Sequence, residues 1–177
     1  MAFERVRRLN IPELPRRQAE GEFARIMGLM RPLETGGFTP VQIKNRLKQV
    51  MWEKMGYVKS ERSMRDALAE IANIRDQMLP RMGLRNMTRR FNYGWVDAID
   101  IHNMLDVCEI TIHSSLQRTE SRGPFFREDY PFVDNINWLT KNILWRSDGD
   151  LRFRTEPYNM RYVRPQPERV DFFSTNY

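Results

Sequence analysis

Between Thr39 and Leu116 the apolar residues recur at intervals of three and four in three successive runs, and this periodicity constrains the chain more than any other feature. The first run opens on Thr39-Pro40-Val41-Gln42, which combines an N-cap, a proline at the first helical position and a glutamine at the capping-box position. Val41, Leu47, Val50, Met51 and Met55 form its stripe, and Gly56 ends it. The second run starts at Ser60 or Ser63, carries Met64, Leu68, Ile71, Met78 and Leu79, and is closed by Pro80 and Gly83. The third extends from about Asn92 to Leu116 with Trp95, Ile99, His102, Leu105, Cys108 and Ile112 on its stripe. An amphipathic helix must bury its stripe, and three of them joined by short turns satisfy one another. The expected fold is mainly α, a three-helix bundle of spectrin-repeat type over residues 39–119.

The flanks read differently. Residues 1–38 form an N-terminal arm in which Pro12 and Pro15 punctuate an extended start. Phe23, Ile26, Met27 and Met30 share one face of a short helix from Ala19 to Met30, which Pro32 stops because the residue before a proline avoids the helical region. Residues 120–177 are expected to form a charged loop, a β-hairpin and an extended C-terminal tail. Trp138 to Arg146 is rich in bulky apolar residues, Ser147-Asp148-Gly149-Asp150 is a strong turn, and Leu151-Arg152-Phe153-Arg154 alternates apolar and basic. A two-stranded hairpin is marginal alone, so one face should lean on the bundle or on another chain. Pro157, Pro165 and Pro167 make the remainder an extended arm ending in Phe172, Phe173 and Tyr177.

With 177 residues, 41% of them hydrophobic, the chain can bury roughly 70% of its unfolded surface and needs no disulfide or metal staple. The single cysteine, Cys108, excludes an internal disulfide framework and a multi-cysteine metal site. Arg5, Arg7 and Arg8 are followed by Asn10, Pro12 and Pro15 instead of an apolar run, so no signal peptide is expected. No run of eighteen apolar residues exists, and no direct membrane insertion is expected. The expected location is the cytoplasm, or the inner face of a membrane reached through a partner subunit.

The net charge of +6 raises the question of nucleic acid. Residues 1–38 contribute +2, residues 39–119 contribute +4, and residues 120–177 are neutral. The excess is thin and interleaved with carboxylates, which repel phosphate. Twenty-four of the 29 basic residues are arginine, which suits bidentate pairing with carboxylates as well as phosphate. The reading is a solvated, salt-bridged surface with no nucleic-acid partner.

Candidate chemistry is sparse. His102 and His113 are separated by about 16 Å along one helix, too far to share a metal. His102 and Cys108 lie on the apolar stripe and read as packing groups. There is no GxGxxG, Walker or GxSxG pattern, so the chain has no phosphate-cradling fingerprint of its own. No catalytic, cofactor-binding or metal-binding residue is assigned. One segment stands apart: Arg118-Thr119-Glu120-Ser121-Arg122-Gly123 leads into Arg127-Glu128-Asp129-Tyr130-Pro131, a dense mixture of charges just after the third helix. Pairs between Glu120 and Arg127, or between Asp129 and Arg122, would fix this loop, and Gly123 would allow a positive φ.

The run Arg118–Tyr130 resembles the RTESRGxHxREDY segment of the C-terminal domain of succinate dehydrogenase and fumarate reductase flavoprotein subunits. That superfamily includes L-aspartate oxidase and adenylylsulfate reductase. Leu47-Lys48-Gln49-Val50-Met51-Trp52-Glu53-Lys54-Met55-Gly56 is similar to the family's first-helix motif, Ser63 through Arg75 to the second helix, and Asn103-Met104-Leu105 to the third. Trp138 and the strands to Met160 are similar to the tail of the succinate and fumarate members. Phe125, preceded by Pro124, stands where the family has histidine. The family's FAD-binding and substrate-capping domains have no counterpart in these residues. The resemblance implies that the intact enzyme is an FAD-dependent oxidoreductase interconverting fumarate and succinate or a similar pair, with electrons from an iron–sulfur subunit or another redox module. This chain, inactive alone, would pack against the FAD-binding and capping domains and the partner redox subunit, with a docking loop of Glu120, Ser121, Arg122, Gly123, Arg127 and Asp129. The competing expectation is a helical adaptor that scaffolds a complex without redox chemistry.

Overall fold

The computed structural model describes residues 15–147, 149–162 and 165–174. The first fourteen residues of the expected arm, Asp148 of the expected turn and Tyr177 lie outside the described residues. Among the described residues four α-helices carry the fold: α1 (Arg16–Gly28), α2 (Pro40–Lys54), α3 (Glu61–Asn73) and α4 (Tyr93–Gln117). Six short strands join them: β1 (Val58–Lys59), β2 (Phe126–Arg127), β3 (Phe132–Asp134), β4 (Thr140–Ser147), β5 (Asp150–Pro157) and β6 (Arg169–Asp171).

The helix starts follow local chemistry. Thr39 accepts from the Gln42 amide while the Gln42 side chain accepts from the Thr39 amide, a complete capping box with Pro40 behind it. Ser60 and Ser63 make the same reciprocal pair at the start of α3. Asn92 caps α4 by accepting from the Trp95 amide. α3 does not stop cleanly. It widens into a π turn over Ile74–Met78 and tightens into a 3₁₀ turn over Leu79–Arg81, where Pro80 removes an amide donor.

The core is formed by Ile43, Leu47 and Val50 of α2, Met64, Ala67 and Ile71 of α3 with Ile74 beyond it, Ala98, Ile101, Leu105 and Ile112 of α4, and Met82 and Leu84. Part of the expected stripes is displaced. Val41 is exposed and Ile43 is buried instead, because Ile43, four residues before Leu47, shares its face of the helix and Val41, six residues before it, does not. On α4, Leu105 and Ile112 are fully buried as expected, while in the first half Ala98 and Ile101 are fully buried and Ile99 only half-buried, so the inward face there lies about one residue off the expected one. α1 begins earlier than expected, at Arg16, and buries none of its residues. It is tied on through the Trp95 indole, which donates to the Ile26 carbonyl at 3.0 Å.

The segment after α1 runs alongside residues 81–84, with Pro32 bridged to Leu84 and Phe38 to Met82. The approach requires Gly83: a Cβ there would sit 2.5 Å from the Pro32 carbonyl oxygen and from the Leu33 Cα. The hairpin forms as expected, β4 pairing antiparallel with β5 from Thr140↔Pro157 to Ser147↔Asp150. The tail is not simply extended. Its β6 pairs antiparallel with β3, Val133 opposite Val170, and β1 pairs parallel with β2.

Candidate functional site

Helix α4 ends at Gln117, and the eighteen residues that follow fold back under its C-terminus. A helix C-terminus leaves carbonyls without partners and carries partial negative charge. Arg127 answers both needs. Its guanidinium, only 1% exposed, donates to the carbonyls of Ser115, Leu116 and Arg118 at 3.2, 3.0 and 2.9 Å. The opposite edge of the same guanidinium grips Asp129 bidentately at 3.0 and 2.5 Å, and its plane lies 4.6 Å from the Tyr130 ring centroid. Asp129 in turn accepts the Glu61 amide at 3.0 Å, at the N-terminus of α3. One ion pair therefore bridges the negative end of α4 and the positive end of α3. Burial pushes the Asp129 carboxyl up, but the hydrogen bonds from Arg127 and from the Glu61 amide outweigh it and hold it below its ordinary value.

Glu120 is the centre of a second cluster and is fully buried. One oxygen accepts from Arg118 at 2.8 Å and Arg122 at 3.1 Å; the other accepts from Arg122 at 2.9 Å and the Asp134 amide at 2.9 Å. Arg118 also donates to the carbonyls of Trp138 and Thr140 and stacks on the Trp138 ring, and Arg122 reaches Asn135 at 2.9 Å. Buried Ser121 locks the two clusters together: its hydroxyl donates to the Tyr130 carbonyl at 2.8 Å and accepts the Arg127 amide at 2.9 Å. Gly123 lies at φ 53°, which closes the turn between the Arg122 and Phe125 bridge partners.

All six residues expected in the loop thus meet, but not with the expected pairing. Glu120 binds Arg122 and Arg118, not Arg127; Asp129 binds Arg127, not Arg122. Residues two apart in a tight turn reach each other more readily than residues across it. Two participants, Asp134 and Arg169, escaped the sequence reading. Asp134, 1% exposed, accepts from the amides of Ile136 and Asn137, the Asn137 side chain and Arg169 at 2.9 Å. Burial raises its pKa and these hydrogen bonds more than reverse the shift. The run Asp134-Asn135-Ile136-Asn137 was the local signal, a side chain that caps its own turn. Arg169 and the β6 strap offered no local signal, since their partners lie thirty-five residues away.

Phe125, in the family's histidine position, faces a cation. The buried Lys59 ammonium lies 4.8 Å from the Phe125 ring centroid and donates to the Tyr57 carbonyl at 2.9 Å. Burial, and secondarily the nearby Arg127, push the Lys59 pKa down. The histidines stay apart from this region. Half-buried His102 has its pKa lowered by burial and by Arg25 and Arg75, and half-buried Cys108 has its thiol pushed up by burial.

Chemically, the cluster is a set of saturated ion pairs. Its carboxylates accept three or four hydrogen bonds each, and its buried guanidiniums are committed to carbonyls and carboxylates. A flavin pyrophosphate is held by converging amides and uncommitted cations, whereas Arg118, Arg122 and Arg127 are here turned onto the cluster's own carboxylates and carbonyls, so these residues do not fit FAD. Among the described residues no group of three His, Cys, Asp or Glu could hold a metal, and no helix is long and apolar enough to cross a membrane.

The comparisons with known proteins bear on the same region. A family model described as "Fumarate reductase flavoprotein C-term" matches residues 44–171. The succinate dehydrogenase flavoprotein subunit of Coxiella burnetii is 32% identical over 122 residues, 69% of this chain and 20% of the relative. The fumarate reductase flavoprotein subunit of Haemophilus influenzae is 26% identical over 149 residues, 84% of this chain and 24% of the relative. The chain therefore spans only a fifth to a quarter of the length of these curated relatives. Among solved structures, the Mycobacterium smegmatis Sdh1 complex superposes with a TM-score of 0.74 at 27% identity, covering 93% of this chain and 27% of its counterpart. An E. coli quinol fumarate reductase chain shares the fold, with a TM-score of 0.71 at 23% identity over 85% of this chain and 26% of its own.

Proposed function

The chain belongs to the family of C-terminal domains of fumarate reductase and succinate dehydrogenase flavoproteins, and from that premise we propose that it docks against the FAD-binding and capping domains of such an enzyme. The docking loop is the Glu120–Asp129 segment, divided by depth. Glu120, Ser121 and Arg127 are its internal scaffold, and Arg122, Gly123, Pro124 and Asp129 are the edge it offers. The observation that carries this reading is the buried ion network behind a turn of half-buried Gly123 and exposed Pro124. A loop rigidified from behind loses little entropy when it docks, which favours tight association.

In the intact enzyme FAD, held by residues outside this chain, supplies the hydride chemistry between a dicarboxylate pair such as fumarate and succinate. An iron–sulfur subunit is the electron partner. The residues of this chain orient and brace the flavin-bearing domains.

Mixing the 177-residue chain with separately produced FAD-binding and capping domains tests the reading. The expected result is a one-to-one complex carrying flavin absorbance, weakened at least tenfold by Pro124→Glu with no change in the chain's own melting temperature. Undiminished association of Pro124→Glu would remove the loop from the interface. A native complex without flavin would favour the colourless adaptor instead.

A further inference from the structure

The connection between Leu84 and α4 is ordered yet turned wholly outward. Every residue from Arg85 to Phe91 is exposed. The loop is not slack, because buried Asn92 ties it down. The Asn92 side-chain amide donates to the Asn86 and Thr88 carbonyls, both at 2.8 Å, and the Thr88 amide donates to the Asn86 side chain at 2.9 Å. Phe91 is held at φ 52°, the left-handed region that aromatic residues avoid, with 89% of its surface exposed. Backbone strain that holds a phenyl ring in water stabilises nothing within this chain. Tyr93 stands beside it, 76% exposed, with Met87 at 44%.

Charge here departs from the rest of the molecule. From Gln77 to Val96 the sequence has four arginines and no carboxylate. Arg81 is engaged, donating to the Gly36 carbonyl and lying over the Phe38 ring. Arg85, Arg89 and Arg90 form no ion pair or side-chain hydrogen bond among the described residues, whereas most arginines of the helical faces do. The loop overhangs a cavity of about 450 Å³ floored by Pro40, Val41 and Leu84 and walled by Phe91, Tyr93 and Arg85, with no acidic side chain in its lining.

We infer that this face is a second docking surface, built for an acidic polypeptide segment that places a bulky apolar side chain in the Leu84–Phe91 cavity and carboxylates on Arg85, Arg89 and Arg90. Exposed aromatic residues beside arginines are the side chains that dominate binding at protein interfaces, and arginine forks pair carboxylates bidentately. An apolar-floored cavity suits a side chain better than a phosphate backbone, which favours protein over nucleic acid. The surface is separate from the Glu120–Asp129 loop. The two lie at opposite ends of α4, about 37 Å apart for its 25 residues, so each can fail alone.

Photo-crosslinking in the cells that make the protein tests it, with p-benzoylphenylalanine placed at Met87 of the full chain. The expected product is one dominant adduct to a segment of another polypeptide rich in Asp and Glu. The adduct should fall at least tenfold in Arg89→Glu/Arg90→Glu and in Phe91→Ser, while melting temperature stays within a degree or two of the parent. Four results would overturn the inference: an adduct to nucleic acid, one to a neutral or basic segment, one to a second copy of this chain, or an adduct that survives charge reversal. No adduct above that of a control probe at Tyr158 would overturn it equally.

Discussion

Replacing Arg127 with methionine keeps most of the aliphatic volume and removes the guanidinium that holds the end of α4. The structure states what is lost. Three carbonyls, of Ser115, Leu116 and Arg118, lose their donor, and Asp129 loses its bidentate partner while still bound to the Glu61 amide. Stranding one member of a buried charge pair costs roughly 3–5 kcal/mol. The Asp129 side chain is 28% exposed and can rehydrate in part, which pulls the loss toward the lower figure. The carbonyls cannot rehydrate without opening the turn, and a buried group left unsatisfied costs about 1–3 kcal/mol, which pulls it back. About 4 kcal/mol is therefore expected, a large share of the 5–15 kcal/mol typical of a domain. At this chain length that corresponds to a fall in melting temperature of about 8–16 °C.

Urea unfolding of the 177-residue chain, followed by far-ultraviolet circular dichroism, measures the loss directly. Arg127→Lys serves as the control, because one ammonium cannot fork between three carbonyls and a carboxylate. It should lose nearly as much as methionine. A loss under about 1 kcal/mol for Arg127→Met would refute the reasoning, since it would mean that the carbonyls find water and the arginine is dispensable to the fold.

Three further outcomes are expected. Gly83→Ala should destabilise by about 1–3 kcal/mol and speed amide exchange over residues 31–38, because its Cβ would press on the Pro32 carbonyl; a neutral effect would show that strand pair to be loose. Ile101→Ala, on a fully buried side chain, should cost about 2–5 kcal/mol and clearly more than Ile99→Ala in the same denaturation assay; the reverse order would place the wrong face of α4 inward. Asp129 and Asp134 have folded pKa values below the ordinary aspartate value, so the stability they contribute is present above the unfolded pKa of about 3.9 and lost as pH falls through the lower folded values. Asp134→Asn should flatten that acid limb in pH-dependent melting, and an unchanged limb would exclude the carboxylate from it.

How much of this was legible in the sequence depends on how far apart the interacting residues are. The capping box at Thr39 and the hairpin at Ser147–Asp150 rest on residues within a few positions and stand where the pattern put them, and of the two starts open for α3, Ser60 and Ser63, the first is the cap and the second its reciprocal partner. The inward faces of α2 and α4 were less legible, because a stripe of hydrophobicity is broad and small residues such as Ala98 mark close helix contact without looking apolar enough to be counted. The charged segment was found by its density, yet its partners were misassigned. Density shows that charges will pair, while the turn at Gly123 decides which ones can meet. Asp134 and Arg169 belong to the same network across thirty-five residues, a separation over which no periodic signal survives.

The basic loop was hidden by the opposite fault. Summed over residues 39–119, the charge looks diluted by carboxylates, and only a window as short as Gln77–Val96 isolates the three arginines, Arg85, Arg89 and Arg90, that have no ion pair among the described residues. Both charged features sit at the ends of α4, and their difference is one of satisfaction. At the C-terminus the buried charges of Glu120, Arg127 and Asp134 are each matched inside the chain, so the network stabilises and rigidifies. At the N-terminus Arg85, Arg89 and Arg90 have no such match among the described residues and stand beside an exposed phenyl ring, which is what the proposed docking surface rests on. Composition cannot separate these two cases, because arginine and aromatic residues are plentiful in both. Burial and pairing separate them, and these exist only once the chain has folded.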